Sequence, residues 1–501
     1  MLRKLQEGKK HKMAKTLFNS SEKSNFILNM TEEKYSRLAS KGLATAMMLA
    51  PLFTIAPEIY ASEVQSKASY AFTAGGLVCG GVIAMIIAII GIMKKYISKW
   101  NIFPVCTMAA MVLWGVVSLV KGVDLNISFY GYPERGEGLL AIIFYFCFFT
   151  SAASLKRETA IKTVIDGIVG VGILNGVISL IQVFIGKLSH YTNALEDKIN
   201  AASGLATSPL FLAMVLTLSL TAALIGFMTS DSKTRRTVFV CSSLLFSFVM
   251  MFTYSLIGFC GLAIAVVISA IAALKLNAPK KRLVCLPASI AAAGAAIALV
   301  FCGAVGNISS YRLYDGKILW WCDSYMRASA SGNYDPEWVD IDDTLDVYSY
   351  LNRRTLDIIG NNALAGTGPE QLAFALINVN ADVDPNMSVS EFMTDNVNRG
   401  TFDKVYNEYL YTAATRGIPS LIALALTLIG VVSVGIKSMR RRRTAEAAAV
   451  FAVAMAGVLI FLVGCSSVTF APVFWTAAGA ACAGVAAEKK NTAQKDTVKK
   501  K

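Results

Sequence analysis

Apolar stretches long enough to cross a bilayer recur along the whole chain, and few other features leave a sequence so little choice of fold. A hydrocarbon core about 30 Å thick takes roughly 20 apolar residues per helix, because lipid offers no partner to backbone N–H and C=O groups. Twelve segments meet or approach that length, at about residues 42–60, 70–93, 101–120, 138–154, 163–186, 205–228, 238–254, 256–274, 283–304, 417–436, 447–463 and 469–486. Composition agrees: 55% of residues are hydrophobic and 16% charged, and the mean hydropathy is +0.54. These values exclude a soluble enzyme with one large core and indicate an all-α polytopic membrane protein.

The links between segments alternate in charge. Lys94, Lys95 and Lys99 follow the second segment, Lys156, Arg157 and Lys162 the fourth, and Lys233, Arg235 and Arg236 the sixth. Lys275, Lys280, Lys281 and Arg282 follow the eighth, Lys437 and Arg440 to Arg443 the tenth, and a lysine-rich tail the last. The intervening links are not basic. The positive-inside rule then places both termini in the cytosol and the long polar stretch 305–405 outside. That stretch holds seven Lys or Arg against fifteen Asp or Glu in a chain of net charge +14, so the two membrane faces differ in charge.

The expected organisation is a basic cytosolic arm (1–41), nine helices (42–304), an extracytoplasmic loop domain (305–405), three helices (406–486) and a basic tail (487–501). The arm, with ten Lys or Arg, either lies on anionic lipid or only sets orientation. Residues 203–209, Ser-Gly-Leu-Ala-Thr-Ser-Pro, read either as a broken entry to the sixth span or as an ordinary helix start.

Several chemistries find no material here. Of ten cysteines, nine lie in apolar segments and none is spaced as Cys-x-x-Cys, and the only histidines are His11 and His190. Neither a metal site nor a histidine triad is expected, nor any cofactor or nucleic-acid partner. Within the spans, Asp166 is the clearest ionisable residue at mid-membrane depth.

An extracytoplasmic site at the membrane edge, rich in arginine and without a metal cluster, suits an anionic lipid-linked substrate. Guanidinium forks match phosphate oxygens two at a time and stay charged. The candidates are Arg135, Arg312, Arg353 and Arg354, with a Gly366-Thr-Gly368-Pro369 turn just after the last pair. A helix through residues 403–410 would put Asp403, Tyr406 and Asn407 on one face and turn Glu408 well away. The bland role for Asp403 is a carboxylate stabilising a helix N-terminus.

Gly-Tyr-Pro-Glu-Arg-Gly-Glu-Gly-Leu at 131–139, Ser-Gly-Leu-Ala-Thr-Ser-Pro at 203–209 and Gly-Thr-Gly-Pro-Glu-Gln-Leu at 366–372 form one set of signatures. With Asp-Lys-Val-Tyr-Asn-Glu-Tyr-Leu and Arg-Gly-Ile-Pro at 403–419, the chain from about 40 to 485 resembles the O-antigen ligase and O-antigen polymerase family. The resemblance implies a multi-span membrane glycosyltransferase (GT-C-like) fold in the bacterial cell (inner) membrane. It further implies an inverting, metal-independent enzyme that moves a glycan from an undecaprenyl-diphosphate carrier to a glycan or lipid-glycan acceptor outside, in surface polysaccharide biosynthesis. By the same resemblance Arg135 is the arginine of the early outer link, Asn407 the asparagine of a His-Asn pair, and Gly366 and Gly368 the glycine turn. Two positions depart: Tyr406 stands where many relatives carry histidine, and Leu256 where many carry arginine. A tyrosine of pKa about 10 is a poor base at neutral pH, so Asp403 or another carboxylate would take the proton. The alternatives are a flippase for lipid-linked glycans and a non-catalytic assembly partner.

Overall fold

In the computed structural model, which describes residues 29–52, 65–131, 136–186, 201–206, 208–305, 311, 313, 344–378 and 404–484, all regular structure is helical; no strand occurs among the described residues. The helices are α1 (Glu32–Leu52), α2 (Gln65–Met93), α3 (Ile102–Leu119), α4 (Leu125–Tyr130), α5 (Leu139–Ala153), α6 (Glu158–Ile185), α7 (Pro209–Thr229) and α8 (Lys233–Met251). Then come α9 (Leu256–Lys275), α10 (Cys285–Phe301), α11 (Thr344–Asn361), α12 (Leu372–Asn378), α13 (Glu408–Arg442), α14 (Ala445–Ile460) and α15 (Ala471–Cys482). Eight of them are long and apolar enough to cross a membrane, and α5, α14 and α15 are shorter apolar helices. The chain is an α-helical membrane protein, and a helix lies in each of the twelve apolar segments.

Helix α7 is apolar all round, and 94% of its span window is buried inside the protein. A helix without a polar face belongs at the centre of a bundle. It packs against α6, α8, α9 and α14, while α13 packs along α3 and α5 along α15. Two differences from the sequence expectation stand out. The first helix begins at Glu32, with Tyr35, Ser36 and Ala39 buried, so residues 32–41 belong to the bundle and not to a polar arm. Tyr35 ties it in by donating to the Ile87 carbonyl at 3.1 Å. Asp166 is not an isolated mid-membrane acid: it sits eight residues into α6, half-exposed, and pairs with Arg235 at the start of α8. The same basic end carries a two-pronged clasp, Arg442 to Glu158, with N···O distances of 2.6 and 2.5 Å.

At the opposite end α13 is broken. Gly417 takes φ +80°, and Pro419 two residues on has no N–H to give. The freed groups go to the loop after α11: Thr367 N–H donates to Ala414 O and Gly368 N–H to Thr415 O, both at 2.9 Å, and Ile418 N–H donates to Ala363 O at 2.7 Å. The Ser118 hydroxyl adds a bond to Thr415 O at 2.8 Å. Gly366 is itself left-handed, at φ +68°, and backs onto the Thr415–Arg416 peptide with no room for a Cβ. The Gly-x-Gly turn is therefore the cap of a broken membrane helix.

Gly417→Ala drives a Cβ into the Leu364 carbonyl and strains the backbone. It is expected to cost about 1–3 kcal/mol, seen as a lowered unfolding temperature of the detergent-purified protein. Gly294→Ala on α10, where a Cβ meets nothing within 4 Å, leaves that temperature unchanged or slightly raised.

Candidate functional site

The three shorter helices converge on one place. At 1.5 Å per residue they measure roughly 18–24 Å, short of a bilayer core. Helices α5 and α15 start late and α14 ends early at the end of the bundle where α13 begins, so non-helical chain fills that layer. There the Glu408 N–H donates to both Phe461 O and Gly464 O at 3.0 Å.

Five ionisable side chains meet in this layer, all buried: Glu137 ahead of α5, Glu370 ahead of α12, Lys404 ahead of α13, and Glu408 and Arg416 on its first turns. The Lys404 ammonium pairs with Glu137 and stands 3.2 Å from Glu370 Oε1. It also lies over the rings of Tyr411 at 5.1 Å and Phe211 at 5.6 Å. Tyr145 donates to Glu137 Oε1 at 2.9 Å, and Tyr411 donates to Glu370 Oε1 at 2.6 Å. Glu408 holds a second arm. Its Oε1 accepts from Thr412 at 3.1 Å and Arg416 Nη2 at 3.3 Å, and its Oε2 from the Ser466 N–H at 2.8 Å. Arg416 also donates to Thr412 Oγ1 at 2.6 Å, closing a triangle.

With all five groups ionised the cluster carries three negative charges and two positive. The arrangement orients each carboxylate by two or more donors and leaves a small cavity among Glu137, Tyr145, Glu370, Glu408, Tyr411 and Arg416. It fixes acidic oxygens around a water-sized space. Among the described residues no group of three or more His, Cys, Asp or Glu is placed to hold a metal ion.

Gln371 fastens this region to the link after α3. Its Oε1 accepts from Val123 N–H at 2.5 Å, and its Nε2 donates to Asp124 O and, at 2.7 Å, to Ser128 Oγ. Residues 201–206 are buried, non-helical chain. The N–H groups of Ser203 and Gly204 bond Gln182 Oε1 at 3.0 and 2.7 Å, Leu205 N–H bonds Asn175 Oδ1 at 2.9 Å, and α7 starts only at Pro209. The approach to α7 is thus non-helical with its backbone groups received by protein, and the helix itself opens on an ordinary Ser208 cap.

The sequence-predicted residues are placed unevenly. Asp403, Arg135 and Arg312 lie outside the described residues. Tyr406 is buried between the rings of Phe211 and Tyr348, 6.4 and 6.3 Å away. Asn407 is the N-cap of α13, its Oδ1 accepting from the Tyr409 and Leu410 N–H groups at 3.1 Å. Because the helix begins at Glu408, residues 404–407 are not helical and the expected shared face does not exist. Glu408, expected to point away, points into the cluster instead. Arg353 is exposed and Arg354 half-buried on α11. Gly366, Gly368 and Pro369 form the loop that caps α13 and leads to Glu370.

Sequence reasoning passed over Glu137, Glu370, Lys404, Glu408 and Arg416. The available signal was that each lies inside one of the stretches 131–139, 366–372 and 403–419, beside an apolar run. No family model matches the chain, and no curated protein matches it.

Removing one partner of a buried pair leaves an uncompensated charge, at a cost of about 3–5 kcal/mol. Lys404→Met is expected to lower the unfolding temperature accordingly. Adding Glu137→Gln to that variant is expected to restore part of the loss; an unchanged unfolding temperature in Lys404→Met alone contradicts a stabilising role for the pair.

Proposed function

We propose that this chain crosses the membrane twelve times with both termini cytosolic and acts as a glycosyltransferase of the O-antigen ligase or polymerase type. It moves a glycan from an undecaprenyl-diphosphate carrier to an acceptor sugar on the extracytoplasmic side. The observation that carries this reading is that the stretches 131–139, 366–372 and 403–419, which bear the resemblance, meet in one buried polar site at the bundle end away from the basic links.

In the reaction the acceptor hydroxyl oxygen attacks the donor sugar's anomeric carbon. The bond from that carbon to the diphosphate breaks, the diphosphate leaves with the electron pair, and the acceptor proton passes to a carboxylate. Arg353 and Arg354, with Arg135 and Arg312, are the candidates to hold the leaving diphosphate, since guanidinium groups stay charged and bind its oxygens in pairs. Asp403 remains the candidate base, with Tyr406 and Asn407 beside it in sequence; the Glu137–Lys404–Glu370 group and the Glu408–Arg416 pair hold the site's backbone in place. Tyr406, buried between the Phe211 and Tyr348 rings, serves as a hydrogen-bond donor.

One observation favours a second reading. Five buried ionisable groups within a helical membrane bundle are also what a transporter uses to pass substrate or protons. In that case the protein flips the lipid-linked glycan, and cells lacking it accumulate the glycan-loaded carrier on the inner leaflet. The enzyme reading puts that accumulation on the outer leaflet.

The deciding experiment is the size distribution of surface polysaccharide in a deletion strain carrying either the intact gene or an Arg353→Ala, Arg354→Ala version. Single lipid-linked units outside, extended to long chains only by the intact gene, are the expected polymerase outcome. Long chains still attached to carrier identify a ligase, and unaltered polymer in the deletion strain refutes both.

A further inference from the structure

At the basic end of the bundle, far from the buried cluster, a groove opens between the link ahead of α3, the last turns of α13 and the residues after α15. It is lined by Ser98, Trp100, Asn101, Lys437, Ser438 and Arg441, and no carboxylate lines it. The Arg442 guanidinium at its floor is already committed to Glu158. Lys437 and Arg441 are both exposed and form no ion pair among the described residues. The Lys437 ammonium stands 2.9 Å above the centre of the Trp100 ring, which is itself 56% exposed.

A third cation sits at the rim. Burial holds Lys156 below the ordinary lysine range; Glu32 pulls it back up, and Arg441 pushes it further down. Three cations thus border a groove whose own lining includes no carboxylate.

The groove continues into an apolar surface. Phe103 packs against Gly430 of α13 while staying half-exposed. On α13, Ile422, Leu426 and Ile429 are exposed at spacings of four and three residues, which is one helix face. Cations at a helix end, an indole beside them and an apolar strip leading away form the outline of a lipid molecule. Free phosphate would use only the first of these, and basic pockets between membrane helices on the cytosolic side take anionic headgroups.

We propose that this groove binds an anionic glycerophospholipid, with Lys437 and Arg441 holding the headgroup phosphate, Trp100 packing at the interface and an acyl chain lying along Phe103, Leu426 and Ile429. The site is independent of the glycosyltransfer reading and lies at the other end of the bundle.

The test titrates the full chain, purified and delipidated in detergent, with phosphatidylglycerol, phosphatidylcholine or inorganic phosphate, and counts bound molecules by native mass spectrometry. Lys437→Ala, Arg441→Ala is compared with Lys280→Ala, Lys281→Ala, a pair of exposed lysines on a different basic link. The first pair is expected to weaken phosphatidylglycerol binding about ten-fold or more, and the control pair to leave it within about two-fold. Phosphatidylcholine binds more weakly to the intact protein. Equal losses in both pairs, or none in the first, overturn the proposal by reducing the effect to general attraction or to nothing. Inorganic phosphate binding as tightly as the lipid overturns it in favour of a free-anion site. Should the first pair fail to fold, Lys437→Gln alone, at an exposed side chain, is read against the same thresholds.

Discussion

A helix that breaks inside a membrane bundle must pass its freed backbone groups to donors and acceptors of the same chain, because lipid supplies none. Helix α13 does this at Gly417, and much of the surrounding architecture follows from it. The carbonyls of Ala414 and Thr415 are taken by a loop that arrives from α11, and Ile418 finds its acceptor in the same loop. That loop continues into Glu370 and Gln371, so capping the break also positions one acid of the buried cluster and fastens the link after α3. One local need for hydrogen bonds thereby joins three distant parts of the chain.

The charges are placed where such a junction can accept them. Moving an ammonium or a carboxylate out of water costs several kcal/mol, repaid only by close partners and well-aimed donors. Non-helical backbone at the ends of α5, α14 and α15 offers N–H groups that a continuous helix would have used internally, as the bond from Ser466 to Glu408 illustrates. Short helices and buried ions thus explain each other.

Much of the fold could be read before any coordinates. Spans follow from hydropathy because lipid imposes one solution on each long apolar run, and a helix sits in every such run. The start of α1 escaped this reasoning because Glu32 to Lys41 mixes Tyr35, Leu38 and Ala39 with charged residues, and only burial against α2 reveals which face matters. The stretches 131–139, 366–372 and 403–419 were legible by the motifs they carry. The residues within them were not, since the reasoning assumed a helix through 403–410 and the N-cap at Asn407 shifts every later side chain. A pair such as Lys404 and Glu137 has no local spacing to betray it.

That separation also has a meaning in time. Glu137 and Lys404 lie 267 residues apart in the chain. At ribosomal speeds of about 5–20 residues per second, roughly 15–50 s pass between their syntheses. Throughout that interval the carboxylate of Glu137 has no Lys404 ammonium to pair with. The buried pair can therefore close only after Lys404, just ahead of the last three membrane helices, has been made.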